Sequence, residues 1–300
     1  MVARIATFPF QATLISENAR IQQNLAKTQL QISSGLRSDN YKGIGSSSQL
    51  LLSYETQYSK LKSYTDNINV GISRLESMFS VLGNMNGTIQ QFLGGLSAAM
   101  SGLSSTADLQ ALAQIGQEAV VSLLNSNIGG RYLFGGSIIN HPPVDLTDPG
   151  YIAQTPPSVA DTTYYQGDNI VESIQLDDNF VVSYGIQADN TAFEQILRGY
   201  NLILNNPGSV VAMQEAFGLI NAGVDLVATL QNNVSNAANL IEDQQGENLA
   251  DLNTIENLVS QLKDTDLSVA SVLMAEYETQ LEASYSTMTR SLRLNLHDFL

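Results

Sequence analysis

Residues 61–103, LKSYTDNINVGISRLESMFSVLGNMNGTIQQFLGGLSAAMSGL, decide the fold of this chain. Mainly apolar side chains recur there at alternating intervals of four and three residues, the spacing that keeps one seam of a helix packed against other helices. The seam consists of Leu61, Thr65, Ile68, Ile72, Leu75, Phe79, Leu82, Asn86, Ile89, Leu93, Leu96, Met100 and Leu103. The pattern predicts one very long helix. Its second half contains five glycines, which weaken an isolated helix, so we expect tertiary packing to hold it.

Helical patterns continue on both sides of an irregular middle segment. Ser105, three residues before Asp108, predicts the cap of a second helix that ends near Asn127. Thr191 and Glu194 stand at capping-box spacing and predict where helix resumes. After residue 208 the three-four spacing returns through Ile241, Gln245, Asn248, Leu252, Ile255, Val259 and Leu262.

Both ends of the chain are predicted to be amphipathic helices. The N-terminal seam places polar Asn18 and Thr28 among apolar residues, and the C-terminal seam includes Ala270 and Ser284. Such a helix alone is marginal in water, because its stability comes mainly from burying one face. The ends must therefore pair with each other or with other copies. The predicted assembly interface is Leu14, Ile21, Leu25, Ile32, Leu267, Met274, Tyr277, Leu281 and Met288.

The distribution of charge supports pairing of the two ends. Residues 1–60 hold six basic and three acidic side chains, whereas residues 242–282 hold one basic and ten acidic side chains. Opposite charge favours association of these segments. The whole chain carries a net charge of −16, which argues against binding to nucleic acid, because phosphate binding needs basic surface.

The middle segment, residues 137–189, has a different composition and is predicted to be a small inserted β domain. It contains five prolines, which break helices, and β-favouring runs at Tyr164-Tyr165, 171–176 and 180–186. Before it, Gly129 and Gly130 introduce the aromatic stretch 131–136, which reads as a strand or hairpin edge. The predicted fold is mainly α, a long antiparallel helical bundle or coiled coil from both chain ends with this β insertion.

The residue types that usually carry enzymatic chemistry are sparse. Cysteine is absent, so thiolate metal sites and cysteine nucleophiles are excluded, and neither His141 nor His297 has metal-ligand spacing. Asp264 and Asp266 lack the pattern of a calcium loop and suggest a helix cap or a charged helix face. We predict no catalytic residue, no cofactor and no metal site, and hence no enzyme. Residues 43–48 lack the context of a phosphate loop and are interpreted as a flexible joint.

The sequence also bears on membranes and sugars. No uninterrupted apolar run approaches the roughly 18 residues of a membrane helix, and the N-terminus does not look like a cleaved secretory signal. We therefore expect no membrane insertion and a protein that is cytoplasmic or exported by another route. The aromatic side chains of Tyr132, Phe134, Tyr164 and Tyr165 are interpreted as packing rather than as a sugar-binding platform.

Several motifs resemble the bacterial flagellins and their relatives. Residues 32–37, Ile-Ser-Ser-Gly-Leu-Arg, and residues 67–73, Asn-Ile-Asn-Val-Gly-Ile-Ser, are similar to the amino-terminal region of flagellins. Residues 127–137 with Pro142-Pro143, residues 164–168, and residues 281–285 with the closing 294–300 resemble the hook-associated protein 3 branch. The family-motif residues are Ser34, Gly35, Leu36, Arg37, Arg131, Tyr132, Leu133, Phe134, Tyr165, Gly167 and Asp168.

The resemblance implies an architecture and a role. It implies an inner terminal coiled coil from residues 1–45 and 263–300, a helical core domain from 46–136 and 190–262, and an outer β domain from 137–189. It implies export through the flagellar channel and polymerisation outside the cell at the junction of hook and filament. The implied partners are further copies in a helical ring, the neighbouring hook-associated protein, flagellin and an export chaperone.

Two alternatives stay open at this point. The chain could be flagellin itself, the bulk filament subunit, although flagellins follow Ser-Ser-Gly-Leu-Arg with an Asp-Asp-Ala-Ala-Gly stretch and this chain has Ser-Asp-Asn-Tyr-Lys-Gly-Ile-Gly at 38–45. A surface sugar-binding or enzymatic module in residues 137–189 has less support, since about fifty residues are few for an independent domain.

Overall fold

The computed structural model describes residues 3–297, with the side chains of residues 9–290. Its α-helices are α1 (Ala3–Ser34), α2 (Ser48–Met100), α3 (Thr106–Leu124), α4 (Thr191–Asn205), α5 (Val210–Lys263) and α6 (Leu267–His297). Two short 3-10 turns, Tyr41–Gly43 and Gly45–Ser47, occupy the segment that was expected to be a flexible joint. The predicted mainly α fold is confirmed.

The β structure consists of two small antiparallel hairpins. Strands β1 (Asn127–Ile128) and β2 (Arg131–Tyr132) are joined by Gly129 and Gly130, both with positive φ, which a two-residue hairpin turn of this kind requires. Strands β3 (Ser173–Asp177) and β4 (Phe180–Ser183) form the second hairpin, with Ile174 opposite Val182. The predicted strand at Tyr164-Tyr165 is wrong apart from an isolated bridge between Val144 and Tyr165.

The chain divides into two compact units. The first unit contains residues 1–59 and 252–300, and the second contains residues 60–251. Helices α2 and α5 contribute to both units. The division into three domains that the family resemblance implies stays a prediction.

Helix α2 buries a stripe in the second unit that differs from the predicted seam. Ile68, Leu75, Leu82, Ile89 and Leu96 are buried as expected. Between them, however, Met78, Met85 and Phe92 are buried, whereas Phe79 is 45% exposed. The predicted seam also ends too late, because Leu103 lies after the helix in the turn at Gly102 and is 84% exposed. A helix repeats every 3.6 residues rather than 3.5, so a strict heptad pattern drifts around its surface.

Helices α3, α4 and α5 complete the core of the second unit. Ser105 caps α3 by accepting a hydrogen bond from the Asp108 backbone N–H at 3.1 Å, as predicted. The cap of α4 is Asn190, whose side chain accepts from the Ala192 N–H at 3.0 Å, so the predicted capping box at Thr191 is wrong. Glu194 instead turns inward and pairs with Arg198.

Helix α5 includes an apolar window in which polar residues interrupt the apolar ones, so the sequence pattern did not reveal it. An 18-residue window of this helix has a mean hydropathy of 1.3, which by length and composition could cross a membrane, and 39% of it is buried in the protein. Ile220, Val227 and Ile241 of α5 are fully buried in the core of the second unit. We therefore assign α5 to the core, because a buried helix of a soluble protein is equally apolar.

Candidate functional site

In the first unit, the two chain ends pair as antiparallel helices. The α1 side chains that face α6 recur with the predicted spacing: Asn18, Ile21 and Thr28 are buried, and Leu14, Leu25 and Ile32 are half-buried. On α6, Ala270 is buried, and Met274, Tyr277, Leu281 and Met288 are half-buried. Gln22 Nε2 donates to the Tyr285 hydroxyl at 2.6 Å across the pair. Two helices alone therefore bury this seam only in part.

Two predicted interface positions depart from a simple apolar seam. Leu267, at the start of α6, is 51% exposed and does not join the seam within one chain. Asn18 is 7% exposed, and its Oδ1 has no hydrogen-bond partner among the described residues. A buried oxygen without a partner costs about 1–3 kcal/mol, so the seam is far from an optimal two-helix core.

The Ser-Gly-Leu-Arg motif joins the C-terminal end of α1 to the N-terminal end of α6. Gly35, with φ of 72°, turns the chain out of α1 so that Leu36 forms an antiparallel bridge with Asp264. The Thr265 N–H donates to Gly35 O at 2.8 Å, and the Arg37 N–H donates to Lys263 O at 2.8 Å. The Arg37 guanidinium Nε also donates to Asp264 O at 3.0 Å. We call these contacts of residues 35–37 with 263–265 the clasp.

The motif residue Ser34 and the nearby Asp266 act on helix ends. The Ser34 hydroxyl donates to Leu30 O at 2.7 Å and accepts from the Leu36 N–H at 3.2 Å, which closes the last turn of α1. Asp266 caps α6 by accepting from the Ser268 and Val269 N–H groups. The interpretation of this acidic pair as a cap is confirmed for Asp266, and Asp264 supplies the clasp with backbone groups.

A charged network lies beside the clasp. Tyr41 donates its hydroxyl to Glu55 Oε2 at 2.6 Å, and Lys263 Nζ donates to Glu55 Oε1 at 3.0 Å. The hydrogen bond from Tyr41 holds the pKa of Glu55 below its ordinary value, and the same bond raises the pKa of Tyr41. Tyr41 belongs to the segment that departs from the flagellin pattern, so this chain has its own contact at that place.

Large apolar side chains outside the seam remain exposed on both terminal helices. On α1 they are Phe10, Ile15 and Leu30, and on α6 they are Leu267, Val269, Val272 and Leu273. These exposed side chains are available for contact with another molecule. When α1 and α6 are paired, each helix therefore still has exposed apolar side chains.

The second group of motif residues holds the β segment on the helices of the second unit. Arg131 forms an ion pair with Glu172, whose Oε1 is also 4.0 Å from a nitrogen of the buried Arg74 on α2. The same Arg74 side chain donates to Tyr132 O at 3.4 Å. Leu133 and Phe134 are buried, and the Phe134 ring packs edge to face against Phe193 of α4 at 5.6 Å.

Asp168 organises the loop that contains Tyr165 and Gly167. Its carboxylate accepts from the backbone and hydroxyl of Ser137 and from the Ile170 N–H, and the Ser137 hydroxyl holds its pKa below the ordinary value. Tyr165 donates its hydroxyl to Asp168 O at 2.7 Å. A side chain at Gly167 would collide with the Tyr165 ring. These motif residues therefore satisfy one another.

The aromatic residues do not form a sugar platform. Phe134 and Tyr164 are fully buried, and the Tyr164 hydroxyl donates to Ala188 O at 3.0 Å. Their interpretation as packing residues is confirmed. Among the described residues no group of three or more His, Asp or Glu side chains could hold a metal ion. His141 lies in a loop with Nδ1 3.4 Å from Pro142 O, and the His297 side chain lies outside the described side chains.

These features define a mainly helical protein whose paired chain ends leave large apolar side chains exposed. Part of the chain also matches a known family in sequence. Residues 5–138 match the family model described as the bacterial flagellin N-terminal helical region. The resemblance to the flagellin superfamily is thus confirmed for the N-terminal part of the chain.

Three solved structures are similar to the chain at low sequence identity, and one of them has a TM-score above 0.5. A candidate flagellar hook-associated protein of Vibrio parahaemolyticus is 13% identical with a TM-score of 0.60, and the match covers 75% of this chain and 99% of that one. FlgL of Xanthomonas campestris is 12% identical over 78% of this chain and 99% of its own, with a TM-score of 0.41. FlgL of Bacillus cereus is 19% identical over 66% and 96%, with a TM-score of 0.29. No curated protein sequence matches the chain.

Proposed function

We propose that the protein is a structural subunit of the bacterial flagellum, exported and polymerised at the junction that connects the hook, through the neighbouring hook-associated protein, to the flagellin filament. The observation that carries this proposal is the state of the paired chain ends. Their seam is only half-buried, and apolar residues such as Val272 and Leu30 stay exposed on the outer faces. Burying such side chains contributes roughly 1.5–3 kcal/mol each, which further copies can supply.

The proposed layers follow the predicted domains. Residues 1–45 and 263–300 would form the inner coiled coil, 46–136 and 190–262 the surrounding helical shell, and 137–189 the outer surface. Positions 1, 2 and 298–300, which include the end of the closing motif, lie outside the described residues. The proposed partners are copies of the chain in a helical ring, the neighbouring hook-associated protein, flagellin and an export chaperone, and the proposed location is extracellular.

The second candidate is flagellin itself, favoured by the match of residues 5–138 to a flagellin region. Against it stands the segment after the Ser-Gly-Leu-Arg turn. This segment lacks the Asp-Asp-Ala-Ala-Gly sequence of flagellins, and its Tyr41 hydroxyl donates to Glu55 at 2.6 Å. The junction protein and the filament subunit differ in number and position. A junction protein forms about one helical turn of copies next to the hook, whereas a filament subunit occupies the whole filament.

A deletion strain tests the junction proposal. We expect cells that lack the protein to build hooks and to release flagellin into the medium, as measured by electron microscopy of the cell surface and by immunoblotting of the supernatant. A plasmid copy of the gene should restore filaments. Normal filaments in the deletion strain would rule out the junction role. Antibody labelling of wild-type flagella should give one band next to the hook, and label along the filament would favour flagellin.

A further inference from the structure

The first unit contains a groove that no residue of its own chain fills. The groove has a volume of about 540 Å³ and is lined by Glu55, Tyr58 and Ser59 of α2 and by Glu256 and Val259 of α5. Tyr58 and Val259 are half-buried and form an apolar strip. Ser59 and Glu256 are exposed beside this strip. It is therefore an open groove with an apolar strip and an acidic rim.

The two carboxylates of the rim differ in their state. Glu55 already binds Tyr41 and Lys263. Glu256 takes part in none of the ion pairs found among the described residues. An occupant of this groove should therefore carry a cation for Glu256 and apolar atoms for Tyr58 and Val259.

One exposed face of α1 has this chemistry. Ser16, Arg20, Gln23, Lys27 and Leu30 recur at intervals of four and three residues, all are exposed, and none belongs to the seam that faces α6. Leu30 is 61% exposed, and Lys27 appears in none of the ion pairs among the described residues. Arg20 pairs with Glu17 of its own helix, so Lys27 is the cation available for Glu256, and Leu30 supplies apolar atoms for the strip.

Most of the other terminal helix does not fit this groove, because residues 267–289 of α6 carry three acidic side chains and no basic one. Helix α6 carries Glu276, Glu278 and Glu282, and like charges in close contact across an interface cost several kcal/mol. The chain's own α1 does not fill the groove either, because its basic face is exposed within a single chain. The matching occupant is therefore α1 of another copy.

We propose that this groove receives the Arg20–Lys27–Leu30 face of α1 from a second copy of the chain, with Lys27 next to Glu256. The proposal deepens the proposed function, on which it rests, by naming the surface through which neighbouring copies recognise each other. It assigns α1 two roles: one face pairs with α6 of its own chain, and another face joins the next copy.

Disulfide cross-linking tests the contact directly, because the chain has no cysteine of its own. A full-length Lys27→Cys chain that bears a mass tag is mixed with an untagged Ser59→Cys chain, polymerised and oxidised. We expect a mixed disulfide dimer in the polymer. The control pair, Lys27→Cys with Glu118→Cys on α3, should give none. Equal yields from both pairs, or no mixed dimer from the first pair in a formed polymer, would overturn the proposal.

Charge exchange gives a second and independent measurement. Lys27→Glu and Glu256→Lys should each slow polymerisation of the full chain several-fold, because each places like charges in the groove. The double variant restores both the net charge and the opposite pair, and we expect it to polymerise at the wild-type rate. Single variants that assemble normally, or a double variant as slow as the singles, would contradict the proposal. A wild-type chain that never polymerises would instead sink the proposed function.

Discussion

At the scale of single residues, glycines decide how closely the helices of the second unit approach. A Cβ on Gly199 would lie 2.5 Å from Ile220 Cγ1 and 3.3 Å from Ala216 O, whereas a Cβ on Gly94 would meet no atom within 4 Å. We expect Gly199→Ala to lower the free energy of unfolding by about 1–3 kcal/mol through overpacking. Gly94→Ala should raise it by about 0.5–1 kcal/mol, because glycine loses more entropy in a helix. Urea unfolding followed by circular dichroism measures both.

The opposite signs make this pair of variants informative. Both remove a helical glycine, so their intrinsic helix propensities change alike, and only packing separates them. Gly199→Ala with wild-type stability would contradict the close approach of α4 and α5. The glycines of α2 also differ from one another, because Gly87 and Gly94 have open space while Gly95 meets Leu112. Spacing along one helix cannot tell which side its neighbour occupies.

At the scale of elements, the sequence predicted what depends on local chemistry and missed what depends on partners. The cap at Ser105 and the hairpin at Gly129-Gly130 follow from neighbouring residues, and both were predicted. The sequence placed the buried stripe of α2 at Phe79 and Asn86, one position away from the buried Met78 and Met85. Packing by α3, α4 and α5 selects the buried face. Glu172, the partner of Arg131, was not singled out, because it lies 41 residues away in sequence.

The candidate site divides in the same way. The seam positions of α1 and α6 could be read from the three-four spacing alone, with Leu267 as the exception. The network of Tyr41, Glu55 and Lys263 could not be predicted, because its bonded residues are separated by up to 208 positions and none belongs to a motif. Pairing of polar residues that are distant in sequence depends on the fold, whereas the spacing of apolar residues can be seen in the sequence of one helix.

The seam between α1 and α6 supports a prediction at this scale. Leu281→Asp and Met274→Asp would each place a charge at a half-buried position that faces α1. We expect either substitution to abolish assembly while the helices of residues 60–251 stay folded, because an unpaired carboxylate in an apolar seam costs several kcal/mol. Sedimentation measures assembly, and circular dichroism measures the remaining helix. Thr279→Asp on the exposed face of α6 is the matched control and should assemble. Normal incorporation of Leu281→Asp would exclude the seam as an assembly element.

At the scale of the whole molecule, the two units differ in how many side chains each buries within itself. Nearly all the fully buried side chains belong to residues 60–251, including Phe92, Phe134, Tyr164, Phe193 and Tyr200. The terminal unit buries few, and its helices depend on each other for any buried face. Stability should therefore be uneven along the chain, and loss of one terminal helix should release the other without unfolding the second unit.

Deletion of residues 8–32 turns this asymmetry into a measurement. We expect a soluble monomer in which α6 has lost its partner, while the core around Phe92 and Tyr200 persists. A glutamate-specific protease should then cut rapidly at Glu276, Glu278 and Glu282 and slowly at the buried Glu194. Light scattering reports the mass, and the full-length chain under the same conditions is the control. Polymerisation of the truncated chain would mean that α1 is dispensable for assembly, because neither its seam toward α6 nor its basic face toward the groove would remain.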